Sequence, residues 1–181
     1  MIKKVSFIII ASGLMLSACS NNHEGKEHAN NQQHEDHMQH KDTQQLPDNM
    51  KQTKDGEFKK GDKVTITMGH MAGMKNAKGT VKGAYKTHAY VVSYKPTNGK
   101  KEVENHKWVV NEELADAPQK GFEKGDTAKL KADHMPGMKG AKATIDNVKH
   151  TTVYIVDYKS TDNGKLVENH KWMTADELKS R

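Results

Sequence analysis

Apolar and polar residues alternate with a period of two in several short stretches. In Lys63-Val64-Thr65-Ile66-Thr67-Met68 the alternation places Val64, Ile66 and Met68 on one face, the pattern of a half-buried strand. Thr80 to Tyr85 predicts a second strand. Ala89 to Lys95 predicts a third, with Tyr90, Val92 and Tyr94 on one face, and Val103 to Val110 a fourth. Pro96-Thr97-Asn98-Gly99-Lys100 is read as a turn, because Asn-Gly suits the positive φ angles of a tight hairpin. A Gly- and Lys-rich loop spans about residues 69–78, and Asn111 to Leu114 reads as a closing helical turn.

The same succession then returns. His70-Met71-Ala72-Gly73-Met74-Lys75 recurs 64 residues later as His134-Met135-Pro136-Gly137-Met138-Lys139. Val103-Glu104-Asn105-His106-Lys107-Trp108 recurs at the same offset as Val167-Glu168-Asn169-His170-Lys171-Trp172. Residues 58–114 and 122–178 align without a gap, and the copies close on Glu112-Glu113-Leu114 and Asp176-Glu177-Leu178. A long period repeated once is a duplicated small domain rather than a solenoid. The expected fold is mainly β: two tandem small SH3-like β-barrel domains at 58–114 and 122–181, joined by a linker at 115–121. The opening Gly61-Asp62-Lys63-Val64-Thr65-Ile66 supports the SH3-like reading by analogy.

Before the repeats the pattern changes. Lys3-Lys4, the apolar run Val5 to Met15 and then Leu16-Ser17-Ala18-Cys19 form a secretory signal over residues 1–18, too short for a stable membrane span. Its end resembles a bacterial lipobox, in which Cys19 is acylated and becomes the N-terminus. Each buried methylene of such acyl chains adds ~0.8 kcal/mol of membrane affinity. Cys19 is the only cysteine, so disulfides, cysteine-rich zinc sites and a cysteine nucleophile are excluded. Residues 19–57 are polar and poor in apolar groups, and are expected to form a disordered tether. Residues 20–50 carry Glu24, Glu27, Glu35, Asp36, Asp42 and Asp48 against Lys26 and Lys41. With a net charge of +6 overall, the repeats must then be basic, which suits an anionic envelope surface more than nucleic acid.

The retained side chains suggest metal chemistry. Thioether and imidazole together suit copper, above all Cu(I), so His70, Met71, Met74, His134, Met135 and Met138 are the candidate ligands. The alternative is that the methionines are plugs closing a small core. His106 and His170 are weaker candidates. Alternation puts His106 on the face of Trp108, about five residues, or ~15 Å, below the loop end of its own barrel. His88 and His150 do not align between the repeats and read as surface residues. The tether adds His23, His28, His34, His37, Met38 and His40, a loose cluster for Cu(II) or zinc. No Ser-His-Asp set, phosphate loop or metallohydrolase helix is visible, so an enzyme is not expected.

The doubled His-Met-x-Gly-Met-Lys block with its Asn-His-Lys-Trp strand resembles the YdhK family of Gram-positive lipoproteins, across about residues 57–181. That family includes CopL-type copper-resistance lipoproteins. The resemblance implies a copper-binding protein, lipid-anchored at the extracellular face of the cell membrane, that sequesters copper ions and contributes to copper resistance; the chain itself is expected to be a monomer. Other readings stay open: a chaperone passing copper to a membrane exporter, or a basic module that binds anionic cell-wall polymers.

Overall fold

The structure, a computed structural model, describes residues 45–181. The expected signal peptide, Cys19 and the tether residues His23, His28, His34, His37, Met38 and His40 lie outside the described residues. Among the described residues there are eight antiparallel strands: β1 (Lys51–Gln52), β2 (Lys63–Ile66), β3 (Lys78–Tyr94), β4 (Val103–Val110), β5 (Thr127–Lys129), β6 (Lys142–Lys159), β7 (Leu166–Thr174) and β8 (Leu178–Ser180). Single 3-10 turns, Asn111–Glu113 and Ala175–Glu177, close the two repeats. The mainly β, twice-repeated chain is as expected. Pro96–Lys100 lies within the connection, 95–102, between paired strands β3 and β4, but of Asn98-Gly99 only Gly99 has positive φ, so this is not the tight hairpin turn expected.

The segment read as two strands, Thr80–Tyr85 and Ala89–Lys95, is one strand of 17 residues. Lys86-Thr87-His88, which separates the two, is polar. It contains no Gly, Pro or Asn, and the β-branched Thr87 favours extended backbone. Thr87 is buried and its hydroxyl donates to Glu112 Oε2 at 2.7 Å. Its counterpart β6 is also continuous, through His150-Thr151-Thr152.

These two long strands pair antiparallel from Lys78↔Lys159 to Tyr94↔Ala143, with Thr87 opposite Thr151 at the midpoint. The 64-residue repeat is therefore expressed as a pseudo-twofold, and the strand ends cross between repeats. β2 of the first repeat pairs with β8 of the second, and Leu114 bridges Leu130 at the equivalent place.

Each core accordingly draws on both repeats. Val64, Ile66, Met74 and Val81 of the first pack with Tyr154, Val156, Tyr158 and Met173 of the second. Tyr90, Tyr94, Val109 and Leu114 of the first pack with Leu130, Met135, Met138 and Ile145 of the second. A third cluster lies between, where Tyr85, Val91 and Trp108 meet Val153, Ile155 and Trp172. The repeats thus share their cores instead of each enclosing its own. The physical cause is the length of β3 and β6: a strand too long to turn back within one repeat carries its second half into the other. Ahead of the repeats, β1 lies on Tyr85 and Lys86, Met50 packs on the third cluster and the Lys171 ammonium donates to Gln45 O at 2.5 Å.

Candidate metal centre

The exchange of strands brings the two repeated motifs together across the repeats. Loop 134–139 is gripped by the β3–β4 turn of the first repeat, where Thr97 N–H donates to Gly137 O at 2.9 Å and the Asn98 amide to Pro136 O at 3.1 Å. In the other half, Thr161 N–H of the second repeat donates to Gly73 O at 2.9 Å. The glycine of His-Met-x-Gly-Met is required by this docking. Gly73 and Gly137 have φ of +77° and +83°, and a Cβ on Gly137 would lie 2.7 Å from Asn98 Cγ.

His134 consequently faces His106 of the first repeat, with ring centroids 5.8 Å apart. His70 faces His170 of the second, at 6.4 Å. The expectation that His106 lies far below its own loop does not bear on its surroundings, because the loop it meets belongs to the other repeat. The expected alignment of His106 with Trp108 is also corrected. Between the pairs Val92↔His106 and Tyr90↔Val109, β3 has one residue and β4 has two, a β-bulge. Asn105, at φ +54°, precedes it. His106 therefore sits against Tyr94, 6.1 Å between centroids, while Trp108 joins the third cluster.

A carboxylate completes each half. His70 Nε2 lies 2.7 Å from Glu177 Oε1, while Glu177 Oε2 accepts from the Trp108 indole N–H at 2.9 Å and from Thr174 N–H at 2.9 Å. His134 Nε2 lies 2.8 Å from Glu113 Oε1, while Glu113 Oε2 accepts from the Trp172 indole N–H at 3.0 Å and from Val110 N–H at 3.1 Å. Burial alone would push both carboxyls up. The charge and hydrogen bond of His134, then Val110 and Trp172, outweigh it at Glu113 and hold its pKa below the ordinary value. His70, Thr174 and Trp108 do the same at Glu177. Both acids are buried and ionised, and neither was singled out from the sequence. The available signal was that Glu113 recurs as Glu177 while its neighbour Glu112 drifts to Asp176.

The methionines divide into two roles. Met74 and Met138 are fully buried within the two cores. Met71 packs at the edge of its cluster, and Met135 Sδ accepts from the Tyr94 hydroxyl at 3.9 Å. Burial pushes Tyr94 up to about 12, so it stays a neutral donor. His88 and His150 stack on each other at 4.5 Å, paired across β3 and β6; His150 is exposed as expected, but His88 is half-buried. Burial, with His150 beside it, holds the His88 pKa below the usual histidine value against the opposing Glu112. Among the described residues no group of three or more His, Cys, Asp and Glu is placed to hold a metal ion.

The two loops differ in tightness. The turn bond Met138 N–H to Met135 O is 3.0 Å, but its equivalent from Met74 to Met71 is 3.4 Å. Ala72 stands where the second loop has Pro136, is exposed and follows a methionine as Pro136 does. Ala72→Pro should therefore stabilise the protein by ~0.4–1 kcal/mol, mostly by restricting the unfolded chain. A raised thermal midpoint checks this.

A family described as a protein of unknown function (DUF1541) matches residues 60–111 and 124–175. The chain is similar to the uncharacterised protein YdhK of Bacillus subtilis (strain 168), 46% identical over 181 residues, covering 98% of this chain and 88% of that protein. It is also similar to a crystal structure of ydhK, a DUF1541 family protein of the same organism. That likeness has a TM-score of 0.74 and 52% identity, and covers 76% of this chain and 93% of the other. The solution NMR structure of the ydhK C-terminal domain gives a TM-score of 0.67 at 56% identity, covering 68% of this chain and 94% of that one.

Proposed function

We propose, from the premise that the chain belongs to the DUF1541 family, that it is a non-enzymatic copper-binding lipoprotein. Anchored through Cys19 at the outer face of a cell membrane, it sequesters copper and so contributes to copper resistance. The observation that carries the reading is the pairing of histidines across the repeats, each pair beside a retained methionine loop. A metal–imidazole bond of about 2.0–2.1 Å sets the ion roughly 3.2 Å from a ring centroid, so two rings on one ion stand at most ~6.4 Å apart. The 5.8 Å pair fits a bent arrangement and the 6.4 Å pair an open, nearly linear one. Low coordination numbers with soft donors are the habit of Cu(I), and Met71 and Met135 would supply thioethers. The reading rests on these donors, not on a cluster of acids and histidines. The tether residues would collect ions more loosely, and passage of copper to an exporter is compatible with the same chemistry.

The cross-repeat pairing makes a test that no single-repeat site would pass. In a Cu(I) competition titration of the full chain, the chelator is chosen to leave the tether empty. The wild type should then hold two tight ions. His70→Gln with His170→Gln should leave one tight site. His70→Gln with His106→Gln, both in the first repeat, should leave none. Equal stoichiometry for the two double variants would sink the composite sites, and unchanged stoichiometry in both would sink the copper reading.

A further inference from the structure

The oxygens of Glu113 and Glu177 are not used alike. In each acid, Oε2 faces two groups that can only donate: an indole N–H and a backbone N–H. The remaining Oε1 faces a histidine Nε2, at 2.7 Å for His70 and 2.8 Å for His134. A carboxylate can only accept, so the proton of each neutral ring must lie on Nε2 and the lone pair on Nδ1. From this we infer that Glu177 and Glu113 are positioning residues that set the tautomer of His70 and His134, presenting Nδ1 as the metal-facing atom. In both cases the carboxylate comes from the opposite repeat, so the loop of one repeat is chemically set by the closing turn of the other.

The inference deepens the copper reading and rests on it for the identity of the ion, but the tautomer itself is a property of the metal-free protein. A carboxylate behind a ligating histidine orients the ring and raises its basicity. The indole and backbone donors give the arrangement a further consequence. In Glu177→Gln, the carbonyl oxygen must stay with the Trp108 and Thr174 N–H groups. The amide NH2 then faces His70 Nε2 and forces the proton onto Nδ1. Glutamine would thus invert the tautomer, not merely loosen it, and Glu113→Gln would do the same to His134.

The experiment is 15N NMR of the imidazole rings in the full-length, metal-free protein at alkaline pH. The wild type should show the Nε2–H form at His70 and His134. E177Q should move His70 alone to the Nδ1–H form and E113Q His134 alone. Each variant should also weaken its own Cu(I) site by about 10–100-fold, the usual effect of losing such a partner. Trp108→Phe, which keeps the carboxylate on His70, should leave the tautomer as in wild type and covers the case in which a glutamine variant fails to fold. Nδ1–H rings in the wild type, or unchanged rings in a folded E177Q, overturn the inference. Inverted rings with undiminished copper affinity would uphold the tautomer control and overturn Nδ1 ligation of copper.

Discussion

Cut within the 115–121 linker into two chains, the repeats should each lose cooperative folding, and mixing them should restore it. The first repeat alone would keep Tyr90, Val92, Tyr94, Val109 and Leu114 but lose Leu130, Met138 and Ile145, which cover them. It would also lose the β6 partner of β3 from Lys78 to Tyr94. Half a dozen large side chains returned to water, at ~1.5–3 kcal/mol each, outweigh the ~5–15 kcal/mol by which a domain is stable. Near-ultraviolet circular dichroism and urea unfolding, at low concentration to suppress pairing of like repeats, would read this directly. Mixed fragments should regain the spectrum of the intact chain together with the two proposed copper sites. A cooperative, monomeric transition in either fragment alone would show that a repeat can enclose its own core.

Much of the local structure was legible in the sequence, and the partnership between repeats was not. Alternation identified Val64 and Ile66 as inward-facing, although Met68, placed on the same face, lies beyond β2 and is exposed; the Asn98-Gly99 turn was recognisable from its residues alone. Alternation reports which face a residue occupies; it says nothing about which strand lies alongside. Hence polar Lys86-Thr87-His88 separates two apparent strands in the sequence, and its continuity in β3 sets the later contacts. The bulge at Lys107-Trp108 likewise reverses a face without altering composition. His106 and His170 could be seen as retained but not as neighbours of the opposite loop. The acids were harder still. Glu113 and Glu177 are followed by leucine in a polar closing turn, where an exposed carboxylate is the ordinary expectation. Only their burial among three donors gives them a role.

Glu113→Ala should be among the most damaging single substitutions, costing ~3–5 kcal/mol, as removal of one partner from a buried charged network does. It would strip the acceptor from the Trp172 indole, from Val110 N–H and from His134 together. By contrast, Asp176→Ala removes an exposed carboxylate that accepts from the Lys149 ammonium at 2.9 Å and the Thr174 hydroxyl at 2.6 Å, and should cost less, ~1–2 kcal/mol. The pH dependence identifies the cause. Because the folded protein holds the Glu113 carboxyl below its unfolded pKa of about 4.3, its stabilisation is fully present above that value. The stabilisation is lost as pH falls through the folded value, since the folded state must then give up its bound carboxylate. The urea midpoints of wild type and Glu113→Ala should therefore differ most near neutrality and converge in acid. A gap that persisted unchanged into acid would mean that Glu113 stabilises by filling space, and the charged network would have to be abandoned as its explanation.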